Sequence, residues 1–327
     1  MERDGLLIGP YESKESMVQM SEWAKAGVPP GFGRELYPGD LDRLAPHLEK
    51  AMEAFPCFQR AEIQTVVNGP ITYTPDLLPM VGPSLLPNMW LAVGFGYGVS
   101  HGGGVGKYLA SWICDGEAPF ELSEFDPLRY GKWTTLEYAL EKTRESYGMN
   151  NAYGYPYEER FAGRPTNRVN PLTDRLKKAG AHMGFAYGWE VPLWYAAPGE
   201  TPEYKPSYQR TNWQLSQGRE YEVLTSKVGV ADLSTFGKFE VTGPDSRRFL
   251  DRAVAGTVPR PGRTSLVHML TPKGRVYAEL TITCPEENRL VVCVTPSPQP
   301  NPTLPRLFCF LHTPRKPFLR DISIYIF

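Results

Sequence analysis

Five prolines, at 70, 75, 79, 83 and 87, are followed by seven glycines, at 94, 96, 98, 102, 103, 104 and 106, and this run constrains the fold more than anything else in the chain. Proline has no N–H to donate and fixes φ, so neither a long helix nor an interior strand fits between 70 and 87. Beyond it, Leu91 to Phe95 reads as a short buried strand. Val105, Tyr108, Leu109, Trp112 and Ile113 share one helical face, which Gly116 closes. The predicted order is strand, glycine-rich turn, helix. Such a turn leaves backbone N–H groups uncovered at a helix N-terminus, where they can donate to a phosphate or an electron-rich ring oxygen. Gly98 to Gly106 is therefore the first candidate binding element. Its bland alternative is a turn needed only for close packing of helix on sheet.

The 327 residues are 41% hydrophobic and 22% charged, enough for the cores of two or three soluble domains. Basic and acidic residues balance, 35 against 36, so no global field argues for nucleic acid or an anionic membrane as partner. No stretch reaches the ~20 apolar residues of a membrane span, and no targeting segment is read at the N-terminus. Cys57, Cys114, Cys284, Cys293 and Cys309 never form C-x-x-C, which points to reduced thiols, mostly in cores, and not to a metal site.

Helices are predicted near Ser13 to Lys25 and from Asp40 to Ala54. Two more are expected after a Thr134-x-x-Glu137 capping box and after Asn170, the latter stopped by Gly180. Tyr187 to Tyr208 is read as an ordered, aromatic-rich loop, and Glu158, Glu159 and Arg160 as a surface ion network. From Val228 the period becomes two: GKFEVTG is a strand, a short helix follows Pro244, and a turn at Pro272 to Gly274 opens a further strand. In that strand Val276, Ala278, Leu280 and Ile282 share one face, and Arg275, Tyr277 and Glu279 the other. The polar trio is either a ligand floor or an ordinary solvated face. After Thr295, seven prolines in 32 residues leave no usable periodicity, so this tail is expected to join neither sheet nor helix.

Five segments, GPITYTPDLLPMVGP, GFGYGVSHGGGVGKYL, DPLRYGKWTTLEYALEKTRESYG, EERFAGRPTNRV and HMLTPKGRVYAELT, resemble the dimethylglycine dehydrogenases in the same order. Sarcosine dehydrogenase is the second resemblance, and the pyruvate dehydrogenase phosphatase regulatory subunit shares the architecture without the catalysis. The resemblance implies an α+β chain: the C-terminal part of a D-amino-acid-oxidase-like FAD and substrate domain, then a truncated aminomethyltransferase-like folate domain. The expected divisions are 1–125 for the first, 126–208 for a central connecting region, 209–295 for the folate part and 296–327 for a proline-rich tail.

On this resemblance Gly94, Phe95, Gly96, Tyr97, Gly98, Val99, Ser100 and Gly104 contact FAD, and Tyr277, Ala278 and Glu279 contact tetrahydrofolate; catalytic residues stay unassigned. It further implies a small-molecule amine as substrate, electron-transfer flavoprotein as partner and the mitochondrial matrix as location. The G-x-G-x-x-G dinucleotide turn and flavin-linking histidine of the family are not found, so the expectation is weak FAD binding by the chain as it stands.

Overall fold

The computed structural model describes residues 5–33, 35–119, 122–156, 158–186, 188–271, 273–294 and 323–326. The order of elements is α1 (Ser21–Ala26), α2 (Leu41–Ala54), β1 (Met80–Pro83), β2 (Trp90–Val93), α3 (Gly98–Asp115), α4 (Leu136–Met149), α5 (Thr173–Lys178), β3 (Ala181–Ala186), β4 (Trp189–Tyr195), α6 (Gln214–Ser226), β5 (Gly237–Thr242), α7 (Ser246–Ala253), β6 (Arg263–Leu270), β7 (Val276–Glu286), β8 (Arg289–Val294) and β9 (Ser323–Ile326). This is the α+β texture expected. Strands β1 and β2 form one antiparallel pair and β3 and β4 another, while the last five strands make a sheet in the order β6-β7-β8-β5-β9.

Helix boundaries follow local chemistry, though not always the chemistry anticipated. Asp40 caps α2 by accepting from the Arg43 N–H at 3.0 Å, and Gly116, at φ 70°, ends α3 in the left-handed conformation that a side chain resists. The first helix is confined to Ser21–Ala26, whereas Ser13 to Ser16 is only a turn. Thr135, not Thr134, caps α4 through the Tyr138 N–H, so the expected box with Glu137 does not form. The largest difference lies at the glycines. Helix α3 begins at Gly98, so Gly98 to Gly106 is helix and the turn shrinks to Gly94–Tyr97. Glycine costs roughly 1 kcal/mol per residue in a helix, which is why its density read as a turn.

The aromatic stretch after 187 is likewise more regular than expected. Trp189–Tyr195 is a strand with Pro192 inside it, tolerated because β4 pairs on one side only, and α6 follows where no helix was read. Beyond 295, Ser323–Ile326 pairs with β5 in the register Phe239↔Ile326 to Thr242↔Ser323, so the end of the tail does join the sheet. Residues 295–322 lie outside those described.

Hydrocarbon burial is concentrated in this sheet. Phe239, Val241, Val267, Met269, Leu280, Ile282, Cys284, Leu290 and Val292 point to one side and pack against Phe249 and Leu250 of α7. By contrast, α1, α2 and α3 contain no buried residue. Of the thiols, Cys284 is buried, Cys293 is half-buried and Cys57 and Cys114 are exposed, so the core placement expected for most of them holds only in the sheet; Cys309 lies outside the described residues. Ile282→Ala should lower unfolding stability by about 2–5 kcal/mol, because a fully buried branched side chain leaves a cavity, whereas Val99→Ala on the exposed start of α3 should change it by less than ~0.5 kcal/mol. Urea unfolding followed by circular dichroism measures both.

Candidate functional site

The loop between β2 and α3 is shaped by close contacts beneath it. Gly94 has φ 78°, and a Cβ there would stand 2.9 Å from the Thr74 methyl. At Gly96 a Cβ would meet the Thr72 carbonyl oxygen at 3.5 Å and the Tyr73 ring at 3.7 Å. The chain therefore turns directly over residues 72–74 and enters α3 with Tyr97 as its uncapping first residue; no side chain covers the first-turn N–H groups. Around the turn four phenols converge. Tyr73 meets Tyr147 edge-on with centroids 5.1 Å apart, Tyr11 lies 6.1 Å from Tyr147, and the Tyr97 hydroxyl accepts from the Asn150 amide. Burial, reinforced by neighbouring phenols, raises Tyr73 well above the ordinary tyrosine range, so it stays a neutral hydroxyl. His101, on the next turn of α3, sits 5.8 Å from Tyr97.

What fixes residues 72–78 is an ion pair between a buried guanidinium and a partly exposed carboxylate. Arg129, only 3% exposed, donates from Nε to Asp76 Oδ2 at 2.7 Å, and from Nη2 to Asp76 Oδ1 at 3.0 Å and to the Leu78 carbonyl at 2.7 Å. Its guanidinium also lies 4.4 Å from the Tyr130 ring centre. Thr74 donates to the Leu78 carbonyl at 2.8 Å, and Ser146 of α4 donates to the Pro75 carbonyl at 2.7 Å. Burial by itself would raise the Asp76 pKa, but the Arg129 hydrogen bonds and charge outweigh it and hold the carboxyl below its usual range.

A second knot lies between α4 and the β3–β4 hairpin. Arg164 binds Glu190 at 2.8 Å and Glu159 at 3.2 Å, and donates to the Met183 carbonyl at 3.0 Å. Glu159 is thus the partner of a buried guanidinium and not part of a surface network. The neighbouring Lys142 donates to Glu145 at 2.7 Å and to the Arg160 carbonyl at 2.8 Å, and its burial lowers its pKa. Tyr204 stacks between His182 and Trp213, at 5.6 and 5.1 Å, which orders the segment leading to α6.

At the other end of the molecule, β7 alternates as expected from Ala278 onward, whereas Val276, expected on the core face, is exposed where the register against Leu270 shifts. Leu280, Ile282 and Cys284 face the core with Ala278, while Tyr277, Glu279, Thr281 and Thr283 face outward. His268 of β6 is the cross-strand neighbour of Glu279, with its Nε2 3.4 Å from the carboxylate. Of the residues singled out for folate, Tyr277 and Glu279 therefore share an accessible face and Ala278 lies on the opposite one. Of those singled out for FAD, Gly94, Phe95, Gly96 and Tyr97 form the turn, and Gly98, Val99, Ser100 and Gly104 lie along the first two turns of α3. The phenol cluster and the Asp76–Arg129 pair carry no local pattern in the sequence, because the ion pair joins residues 53 positions apart and the contacts of Tyr147 with Tyr73 and Tyr11 span 74 and 136. Among the described residues no group of three or more His, Cys, Asp or Glu could hold a metal, and no helix is long and apolar enough to cross a membrane.

The exposed first turn of α3 fits the edge of a flavin. Backbone N–H groups are presented with no capping side chain, and a Cβ at 102, 103, 104 or 106 would meet nothing within 4 Å, so a planar group can approach the helix closely. The outward face of β7 fits a pterin, with one aromatic ring and one carboxylate at adjacent outward positions.

Residues 1–112 match the family model described as FAD dependent oxidoreductase, 115–168 the FAD dependent oxidoreductase central domain, and 172–301 the GCVT N-terminal domain. The chain belongs to the FAD-dependent oxidoreductases that continue into an aminomethyltransferase-like domain. Within that class it is similar to the dimethylglycine dehydrogenases: it is 57% identical over 282 residues to the mitochondrial dimethylglycine dehydrogenase of Homo sapiens, a match covering 86% of this chain and 32% of that one. It is 32% identical to the formaldehyde-forming 4-methylaminobutanoate oxidase of Paenarthrobacter nicotinovorans, covering 89% of this chain and 35% of that one. To human mitochondrial sarcosine dehydrogenase it is 29% identical, covering 86% and 33%. The chain spans about a third of the length of the curated relatives it matches.

Asp76→Asn should cost about 3 kcal/mol, since it leaves the Arg129 charge buried without a counter-ion. Because the folded carboxyl titrates below its unfolded value of ~3.9, the parent's advantage should be complete above that pH and disappear as the pH falls through the folded pKa. Thermal unfolding of parent and variant between neutral and acid pH checks both statements.

Proposed function

We propose that the whole protein to which these residues belong oxidatively demethylates N,N-dimethylglycine to sarcosine and passes the one-carbon unit to tetrahydrofolate. The observation that carries the reading is the 57% identity to dimethylglycine dehydrogenase, which runs through both the α3 turn and the β7 face. A dimethylglycine specificity fits better than a sarcosine one, given 57% against 29% identity over the same share of the chain. The proposed division is 1–125, 126–208 and 209–295 with a tail beyond. A mitochondrial matrix location and electron transfer to electron-transfer flavoprotein complete the proposal, the former supported by the mitochondrial relatives.

In this reading the flavin, when bound, accepts a hydride from the amine, and tetrahydrofolate accepts the one-carbon unit. The residues of this chain hold and orient. Gly94, Phe95, Gly96 and Tyr97 bring the backbone against the ring system, and the N-terminal end of α3, with Gly98, Val99, Ser100 and Gly104, directs its positive dipole toward developing negative charge on the ring. Tyr73 stays uncharged and so leaves that dipole unopposed. Tyr277 would stack on a pterin and Glu279 would accept from its amine groups, both standing on the outward side of β7 with Ala278 between them.

Tetrahydrofolate titrated anaerobically into the chain should bind, and Glu279→Ala should weaken that binding by about tenfold, equivalent to ~1.4 kcal/mol. In the flavin-loaded full-length protein the same change should leave flavin reduction by dimethylglycine near the parent rate while free formaldehyde rises. Stopped-flow absorbance and a formaldehyde assay separate the two steps. Equal loss in both would make Glu279 a structural residue and remove it from the folate site.

A further inference from the structure

Helix α3 ends in a way its own sequence does not favour. A helix C-terminus carries partial negative charge and prefers cations, yet the last turn of α3 has no basic residue, ends on the carboxylate of Asp115 and is followed by that of Glu117. The missing cations come from the turn between β6 and β7, more than 150 positions away. Lys273 Nζ stands 3.4 Å from Asp115, Arg275 Nη1 stands 3.7 Å from Glu117 and donates to the Ala118 carbonyl at 2.7 Å, and Thr271 donates its hydroxyl to Glu117 at 2.9 Å. Glu117 is the centre of the contact, with its side chain 15% exposed. The turn is also braced internally, the Thr271 N–H donating to the Arg275 carbonyl and the Arg275 N–H to the Thr271 hydroxyl.

Two of these residues lead directly into β7, whose second and fourth residues are Tyr277 and Glu279. The other end of α3 is Gly98, at the turn over Tyr73. An 18-residue helix of ~27 Å therefore runs from one candidate ligand site to the other and is clamped at its far end.

We propose that Glu117 and Asp115 are positioning residues for the one-carbon acceptor: by gripping Thr271, Lys273 and Arg275 they hold the Tyr277–Glu279 face at a fixed distance from the flavin-facing end of α3. This rests on the folate reading of β7 given above. The clamp has two parts of different strength. The Lys273–Asp115 pair is exposed and screened by salt, whereas Glu117 is shielded and takes a hydroxyl as well as a guanidinium.

Amide hydrogen exchange on the 327-residue chain tests the clamp without reference to folate. In Glu117→Gln, exchange at the 273–276 amides should rise about tenfold while the core amides of Ile282 and Val292 stay at parent rates. Asp115→Lys should loosen the same turn, and the Asp115→Lys/Lys273→Asp pair should restore it. An unchanged turn, or a core that loosens equally, overturns the clamp. Tetrahydrofolate binding then tests the positioning role, with Tyr277→Ala as the internal control. If both Tyr277→Ala and Glu117→Gln weaken it, the proposal stands. If Tyr277→Ala weakens it and Glu117→Gln does not, the positioning role fails. If Tyr277→Ala has no effect, the folate reading of β7 fails, and with it the positioning role, whatever the exchange data say of the clamp.

Discussion

A guanidinium taken out of water must be given a counter-ion and enough acceptors, and two such groups organise the part of the chain that lacks a hydrocarbon core. Arg129 gathers Asp76 and the Leu78 carbonyl, which sets the floor over which Gly94 to Tyr97 turns; Arg164 gathers Glu190, Glu159 and the Met183 carbonyl, which joins α4's neighbourhood to the β3–β4 hairpin. These contacts are directional. They locate loops to within a hydrogen bond, which apolar packing alone does not do, and the loops they locate are those that carry the candidate flavin contacts.

The C-terminal sheet is stabilised differently. Its inward faces are almost wholly aliphatic, its strands are antiparallel neighbours, and α7 covers it with Phe249 and Leu250. Such a sheet leaves its outer face free for other uses, and β7 places Tyr277 and Glu279 there. The two modes of stabilisation meet at the C-terminal end of α3, where carboxylates from the first part and cations from the second neutralise one another.

Where one strand or helix face carries the pattern, reading it along the chain succeeded. The period-two run from Ala278 to Ile282, the cap at Asp40 and the stop at Gly116 depend on neighbours within four or five positions, and each is found in place. The differences arise where the packed structure chose among local alternatives and, at the end of the chain, where a distant strand offered an open edge. The glycine run is helical despite its propensity, Thr135 displaces Thr134 as the cap, Glu159 is drawn under Arg164, and Ser323–Ile326 finds the open edge of β5 from beyond a proline-rich stretch.

The sequence by itself determined the class of fold, the alternation that makes β7 a two-faced strand, the segment order shared with a flavin and folate enzyme, and the existence of a glycine-rich approach to a helix N-terminus. These are local periodicities and motifs, written in consecutive residues. Only the tertiary structure decided which phenols surround that helix start, which carboxylate receives each buried guanidinium and which cations close the far end of α3. The Arg164–Glu190, Asp76–Arg129 and Arg275–Ala118 contacts join residues 26, 53 and 157 positions apart, and a charge or hydroxyl carries no mark along the chain of the partner that burial will force upon it.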